Sequence, residues 1–200
     1  MIQESTYNNK IHKHFILYKP YGVLSQFISN QTTRKNKKKL GSLFDFPQNT
    51  MAIGRLDEKS EGLLLLTTDG KVSEYIRSRK VEKEYYVQVD GIITDTAIRQ
   101  LQNGVLINIE GKSYLTLPAK VYKLEVPPIL PQRAKKIRDE RHGPTSWLTI
   151  TIREGKFRQI RKMTAIVGFP TLRLVRVRIG NIHLQDLQPG EVITTASLTV

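Results

Sequence analysis

The sequence predicts an α+β domain, a sheet flanked by short helices, and three observations carry that expectation. Tyr85, Val87 and Val89 alternate with Tyr86 and Gln88, and Leu148, Ile150 and Ile152 alternate with Thr149 and Thr151. This is the period of half-buried strands, and both segments read as central ones. Leu63-Leu64-Leu65-Leu66, bounded by Gly62 and Gly70, is a short continuous apolar run, as expected of a buried strand. Two further stretches carry helix caps: Asp69 ahead of a helix over Lys71 to Ser78, and Thr94 ahead of one whose Ala97, Ile98 and Leu101 share a face before Asn103-Gly104 ends it.

In chain order, residues 1–12 read as a flexible start ahead of a single domain over 13–200. Phe15-Ile16-Leu17-Tyr18 forms the first strand and enters a turn at Lys19-Pro20-Tyr21-Gly22. The run Arg34-Lys35-Asn36-Lys37-Lys38-Lys39 is a basic loop, expected to be disordered without a partner and able to reach backbone phosphates; a solvated loop with no partner fits it equally. A turn at Gly54 places Asp57, beside Arg55, on a charged loop leading into the buried Leu63–Leu66 strand. An isolated Arg-Leu-Asp is also compatible with a solvated loop or a helix N-cap. Between Val126 and Thr145, Pro127, Pro128, Pro131 and Pro144 stand among Arg133, Lys135, Lys136, Arg138 and Arg141, so the segment reads as a surface excursion, either an RNA clamp or a plain loop. Arg158 to Val167 reads as a helix with Ile160, Met163, Thr164 and Val167 inward and Arg158, Arg161 and Lys162 on the other flank; Gly168 and Pro170 stop it. After Leu172 the alternation slips at Leu174-Val175, which suggests a bulge that re-aims Arg176 and Arg178 onto an RNA-binding face.

The bulk chemistry narrows the function. Over 200 residues, 32 Lys and Arg stand against 18 Asp and Glu, a formal charge of +14, and the isoelectric point is about 10.0. That excess argues for a polyanionic partner, and RNA suits it better than a membrane because no long apolar or amphipathic basic helix is evident. Cysteine is absent, which removes disulfides and thiolate metal sites. No secretory leader or long apolar stretch is present, so a cytoplasmic protein is expected. His12 and His14 lack neighbouring ligands and read as surface residues, with no metal expected. No phosphate-cradling glycine loop of the nucleotide-binding types appears, and no cofactor is expected.

Three segments in order are more specific than any of this. They are Gly54-Arg55-Leu56-Asp57 running through Ser60 and Gly62-Leu63-Leu64, then Lys83-Glu84-Tyr85, then Glu154-Gly155-Lys156-Phe157-Arg158-Gln159-Ile160-Arg161-Lys162-Met163. Together they resemble the motifs of the RsuA family of RNA pseudouridine synthases, over nearly everything from Phe15 to about Val192. Pro144-Thr145-Ser146-Trp147 and the stretch from Met163 to Leu174 are similar to the bacterial large-subunit ribosomal RNA enzymes of the E subtype. The resemblance implies the pseudouridine synthase fold: a mixed, mainly antiparallel sheet with flanking helices, in two subdomains around a central active-site cleft. Many relatives carry a separate small RNA-binding domain ahead of the first strand, and this chain is expected to be the bare catalytic domain and a monomer.

The resemblance also implies an activity, isomerisation of a specific uridine in large-subunit (23S) ribosomal RNA. Such an enzyme needs a carboxylate, a means of extracting the base and a platform to hold it. Residue by residue, Asp57 is the implied catalytic carboxylate, Arg161 its cationic partner, and Tyr85 the ring that stacks on the uracil, whereas Tyr86 is expected in the core. Arg55 is implied to fill the gap left by the flipped nucleotide, and Lys19 to shape or line the RNA pocket. Arg158, Lys162, Arg176 and Arg178 are the further RNA-binding candidates. Phe157 departs from the common pattern, where an Asn or a hydroxylated aromatic is frequent. Two other readings share the same charge, a noncatalytic RNA-binding ribosome-assembly protein and a transfer RNA pseudouridine synthase.

Overall fold

The structure is a computed structural model that describes residues 11–28, 36–137 and 140–200. Most of the expected flexible start, together with Arg34, Lys35 and Arg138 of the basic stretches, lies outside the described residues. The first strand, β1 (His14–Lys19), pairs antiparallel with β3 (Glu61–Thr67), to which the short β2 (Met51–Ala52) also pairs. Every residue of β3 is buried, because Leu63 and Leu65 face one apolar cluster while Leu64 and Leu66 face another with Phe15 and Leu17. A strand covered on both faces reads as a continuous apolar run, as the sequence suggested.

Asp69 caps α1 (Gly70–Arg77) by accepting from the Lys71 and Val72 amides, and Thr94 caps α2 (Asp95–Asn103) through the Ala97 amide. Between α1 and α2 runs β4 (Lys83–Asp90), and after α2 come the hairpin β5 (Leu106–Ile109) and β6 (Lys112–Leu115), β7 (Lys120–Leu124) and β8 (Thr145–Ile152). The chain ends with α3 (Gln159–Ile166), β9 (Thr171–Ile179), β10 (Ile182–His183) and β11 (Val192–Thr195). The main sheet runs β11-β1-β3-β9-β4-β8-β7, with β2 paired to β3 and β10 to β9 off this path. Its strand pairings are antiparallel except for β3 with β9. The fold class is therefore α+β, with β4 and β8 inside the sheet as expected.

The parallel β3–β9 contact is the seam of the molecule. On one side of it Val87, Leu148, Ile150, Leu101 and Met163 form a core under α2 and α3; on the other, Leu63, Leu65, Ile76 and Val175 pack under α1. Gly62 sits opposite Arg176 at φ +98, and a Cβ there would run into the backbone N and O of Arg176. Backbone this close leaves no room for alanine and the dihedral disfavours it. Gly62→Ala is expected to lower stability by about 1–3 kcal/mol from conformational strain alone, read as a reduced melting temperature.

Three expectations change here. The irregularities in β9 fall at Leu172 and Val177, which lack partners on β4, and not at Leu174-Val175. Leu174 and Val175 are both apolar because the strand is covered on both faces, one residue belonging to each core. His14 is buried, with Nδ1 2.9 Å from Thr67 Oγ1, and burial lowers its pKa. The 126–144 excursion is only partly a surface feature: Leu130 packs on the α1-side core, the Pro131 carbonyl accepts from Arg173, and Arg133 reaches the buried Glu61 carboxylate at 3.5 Å with its guanidinium 4.0 Å over the Tyr21 ring.

Candidate active site

Asp57 stands on a short loop that is tied down from both ends. Gly54 supplies a left-handed turn at φ +71. Leu56 is buried, its amide donates to Ser25 Oγ at 3.0 Å, and the same hydroxyl donates back to the Leu56 carbonyl at 2.8 Å. The Ser60 amide then bonds the Asp57 carbonyl, and the Gly22 amide bonds the Glu58 carbonyl. A loop with this many internal ties can hold a reacting carboxylate in one place.

Two arginines meet that carboxylate from the start of α3. Arg158 is the N-cap residue, in the left-handed conformation (φ 54, ψ 31), and its Nη1 lies 3.3 Å from Asp57 Oδ2. Arg161, one turn on, brings Nε to 3.8 Å from the same oxygen, within ion-pair reach but beyond a hydrogen bond. Its other nitrogens donate to the Lys59 carbonyl at 3.0 Å, Ser60 Oγ at 3.2 Å and the Thr171 carbonyl at 3.3 Å. Arg161 is only 11% exposed, so the polar flank on which the helix period places it is packed against the Asp57 loop. Burial, and then the charge of Arg158, lower its pKa, while Asp57 opposes them.

The unusual backbone at Arg158 is held by a buried carboxylate. Glu154 accepts from Gln159 Nε2 at 2.6 Å, from the Leu117 amide at 2.9 Å and from the Tyr114 hydroxyl; Gln159 Oε1 in turn accepts the Lys156 amide. The 154–158 loop is thus fastened both to α3 and to the chain around β6. Nothing in the sequence marks Ser25, Ser60, Glu154 or Gln159 as a site residue by itself. Glu154 and Gln159 lie inside the third of the family-like segments, but the partners of Glu154 around β6 are remote in the chain.

Between these elements is a cleft of about 230 Å³ lined by Arg55, Asp57, Lys83, Tyr85, Arg158 and Arg176 among others. Tyr85 forms part of its wall and is also packed into the α2–α3 core. Tyr86, expected in the core, lies on the opposite face of β4 and is only partly buried. Lys83, on the Tyr85 face, donates to the Ser78 carbonyl, and burial followed by the nearby Arg176 charge lowers its pKa to about 8. Arg55 is exposed where it borders the cleft.

Several RNA-binding candidates are placed differently from expectation. Lys19 is fully buried, its Nζ donating to the Pro20 and Val23 carbonyls at 2.9 and 2.8 Å, and burial lowers its pKa to about 7. It braces the turn and cannot reach RNA. Arg178 spends its charge on Glu84 at 2.7 Å and Glu82 at 3.3 Å, within a cluster that includes Lys120 and Arg153. Lys162 donates to the Asn108 carbonyl and lies 5.3 Å over the Phe157 ring, keeping part of its surface open. Lys37, in the basic loop, pairs at 2.8 Å with Glu58, next to Asp57 in sequence. Among the described residues no group of three or more His, Asp or Glu side chains is placed to hold a metal ion, and no helix is long and apolar enough to cross a membrane.

Comparison with known proteins bears on this arrangement. The model of a family described as RNA pseudouridylate synthase matches residues 13–165. A protein of Xanthomonas campestris pv. campestris named ribosomal large subunit pseudouridine synthase E is 46% identical over 178 residues, covering 88% of this chain and 91% of that protein. One of the same name from Vibrio parahaemolyticus is 44% identical, covering 90% of this chain and 72% of its own. A crystal structure of a pseudouridylate synthase superposes with a TM-score of 0.71 at 28% identity, over 92% of this chain and 70% of that one. Asp57, its arginines and Tyr85 converge from three segments that are far apart in sequence, within a fold and a sequence shared with these proteins; the chain belongs to the RNA pseudouridylate synthase family of isomerases.

Proposed function

We propose that this protein converts a specific uridine of large-subunit (23S) ribosomal RNA to pseudouridine in the cytoplasm, acting as a monomer with Asp57 as the catalytic carboxylate. The observation that carries the reading is the placement of Asp57 Oδ2 between Arg158 and Arg161 in the cleft walled by Tyr85. The likeness to enzymes named for the ribosomal large subunit supports the choice of RNA. A carboxylate so flanked is held in one orientation even when RNA phosphates crowd the cleft, at the cost of partial desolvation. Isomerisation conserves the atoms of the nucleotide and needs no redox agent or energy source, so the side chains supply positioning, a carboxylate and charge stabilisation.

Tyr85 offers a ring on which an extruded uracil can stack. Arg55, exposed at the cleft, is suited to occupy the space that the flipped nucleotide leaves in the RNA. The test is to map pseudouridines in ribosomal and transfer RNA from cells lacking the protein, with and without wild-type or Asp57→Asn complementation. Loss of one large-subunit site, restored only by wild type, is the expected result. Loss of a transfer RNA site instead reassigns the substrate, and no loss at all overturns the catalytic reading in favour of a binding role.

The basic loop provides a second prediction. Lys37, Lys38 and Lys39 supply no base readout, so replacing all three with alanine is expected to weaken binding to all RNAs alike and leave the rate at saturating RNA nearly unchanged. For every phosphate that is no longer neutralised, the logarithmic salt slope should fall by about 0.7 to 0.9. Because Lys37 also neutralises Glu58, the slope is measured for Lys38→Ala/Lys39→Ala as well. An unaltered affinity and slope in both variants would place the RNA path elsewhere.

A further inference from the structure

We propose that Arg176 closes the inner end of the uracil site, donating from Nη2 to the O4 carbonyl oxygen of the base and stabilising the negative charge that the base carries once detached. The inference rests on the pseudouridine reading above and assigns a contact to the base itself.

The geometry is specific. Arg176 on β9 is the direct cross-strand partner of Tyr85 on β4, so the two side chains share a face of the sheet and both line the cleft. Only 4% of Arg176 is exposed. Its Nε donates to the Leu63 carbonyl at 2.7 Å, which fixes the plane of the guanidinium. Nη2 is buried and has no hydrogen-bond partner among the described residues. An unmatched buried donor of this kind is costly, more so when charged, and a ligand acceptor would satisfy it.

Among the described residues no acid nearby is free to take that role. Glu61 is engaged by Arg173 and Arg133, Glu84 by Arg178, and Glu154 by Gln159, Tyr114 and the Leu117 amide. The second cation on this face, Lys83, adds positive potential. The enclosed position beside the Tyr85 ring suits a flat base, whereas flanking phosphates belong near the exposed Arg55. Gly62, pressed on the Arg176 backbone, holds the residue at this depth.

The chemistry requires such a donor. When the C1′–N1 bond breaks, its electron pair stays on N1 and spreads to the carbonyl oxygens O2 and O4. The base turns, C5 bonds to C1′, the proton on C5 leaves, and N1 takes up a proton, so the sequence balances without a co-reactant. A guanidinium stays charged throughout and its donors strengthen as charge develops on oxygen. As a pure donor it also favours the O4 of uracil over the amino group of cytosine.

The test uses the full chain and an unmodified large-subunit ribosomal RNA transcript carrying tritium at uridine C5, with single-turnover tritium release as readout. Arg176→Ala is expected to lower the saturated rate about 100-fold, the usual effect of removing one preorganised donor, with half-saturation by RNA little changed. Added guanidinium at non-denaturing concentration should restore much of that rate without altering the melting temperature, and should do nothing for Asp57→Asn. A rate close to wild type, or a loss that follows a lowered melting temperature and resists guanidinium, overturns the proposal. If Arg176→Ala does not fold, inhibition of the wild type by free uracil decides: uracil should inhibit well below the concentration at which cytosine does, and failure to discriminate between them overturns it. Wild-type protein that releases no tritium from this transcript or from transfer RNA instead defeats the underlying reading.

Discussion

Asp57→Asn is expected to reduce pseudouridine formation by about 1,000-fold or more, some 4 kcal/mol of barrier, while the fold and RNA affinity persist. The two side chains have nearly the same shape, so the ties at Leu56, Ser60 and Gly22 that hold the loop remain. The substitution removes the charge and basicity of the one carboxylate that, among the described residues, is paired with both Arg158 and Arg161. With that counter-charge gone the cleft becomes more positive, and phosphate binding should hold or tighten. Single-turnover rates and equilibrium binding measured on the same RNA separate the two effects. A residual rate within about tenfold of wild type, only ~1.4 kcal/mol of barrier, removes Asp57 from the chemistry. A parallel loss of rate and affinity would instead make it a structural residue of the RNA path.

The elements legible in the sequence are those whose cause is local. Asp69 and Thr94 sit beside the amides they cap, and the alternation of β4 and β8 records which face of each strand is buried. The convergence of Asp57, Tyr85 and Arg161 is legible through the family's motifs, because helix periodicity alone assigns Arg161 to a polar flank. That flank faces a loop about a hundred residues earlier, and nothing in the local pattern marks it. Lys19 shows the opposite failure. The resemblance implies that Lys19 shapes or lines the RNA pocket, yet it is buried and its ammonium is satisfied by the Pro20 and Val23 carbonyls of its own turn. Arg178 reads as a nucleic-acid contact because strand parity cannot reveal that Glu84 is its register partner across β4 and β9. Arg158 reads as an RNA contact because the sequence conceals its left-handed backbone, which turns the side chain to Asp57 and depends on Glu154 anchoring the preceding loop.

The two arginines at Asp57 should separate on substitution. Arg161→Met deletes a side chain that joins the Asp57 loop to the start of β9 through Lys59, Ser60 and Thr171. Of its acceptors Ser60 is buried, and leaving that hydroxyl unmatched is expected to cost about 1–3 kcal/mol of stability. The carboxylate also loses its inner partner, so the rate at saturating RNA should drop about 100-fold, comparable to about 2.7 kcal/mol of barrier. Arg161→Lys should recover little, since one ammonium cannot reproduce a planar fork spanning two segments. Arg158→Ala removes a more exposed pair, worth at most about 1 kcal/mol to the fold, and should cost activity chiefly by loosening the carboxylate. Thermal melts alongside single-turnover rates for the three variants supply the comparison. Should Arg158→Ala prove the inactive variant while Arg161→Met melts and reacts like wild type, the shorter contact of 3.3 Å is the functional one. The longer contact would then be an incidental neighbour of a residue that only staples the loop.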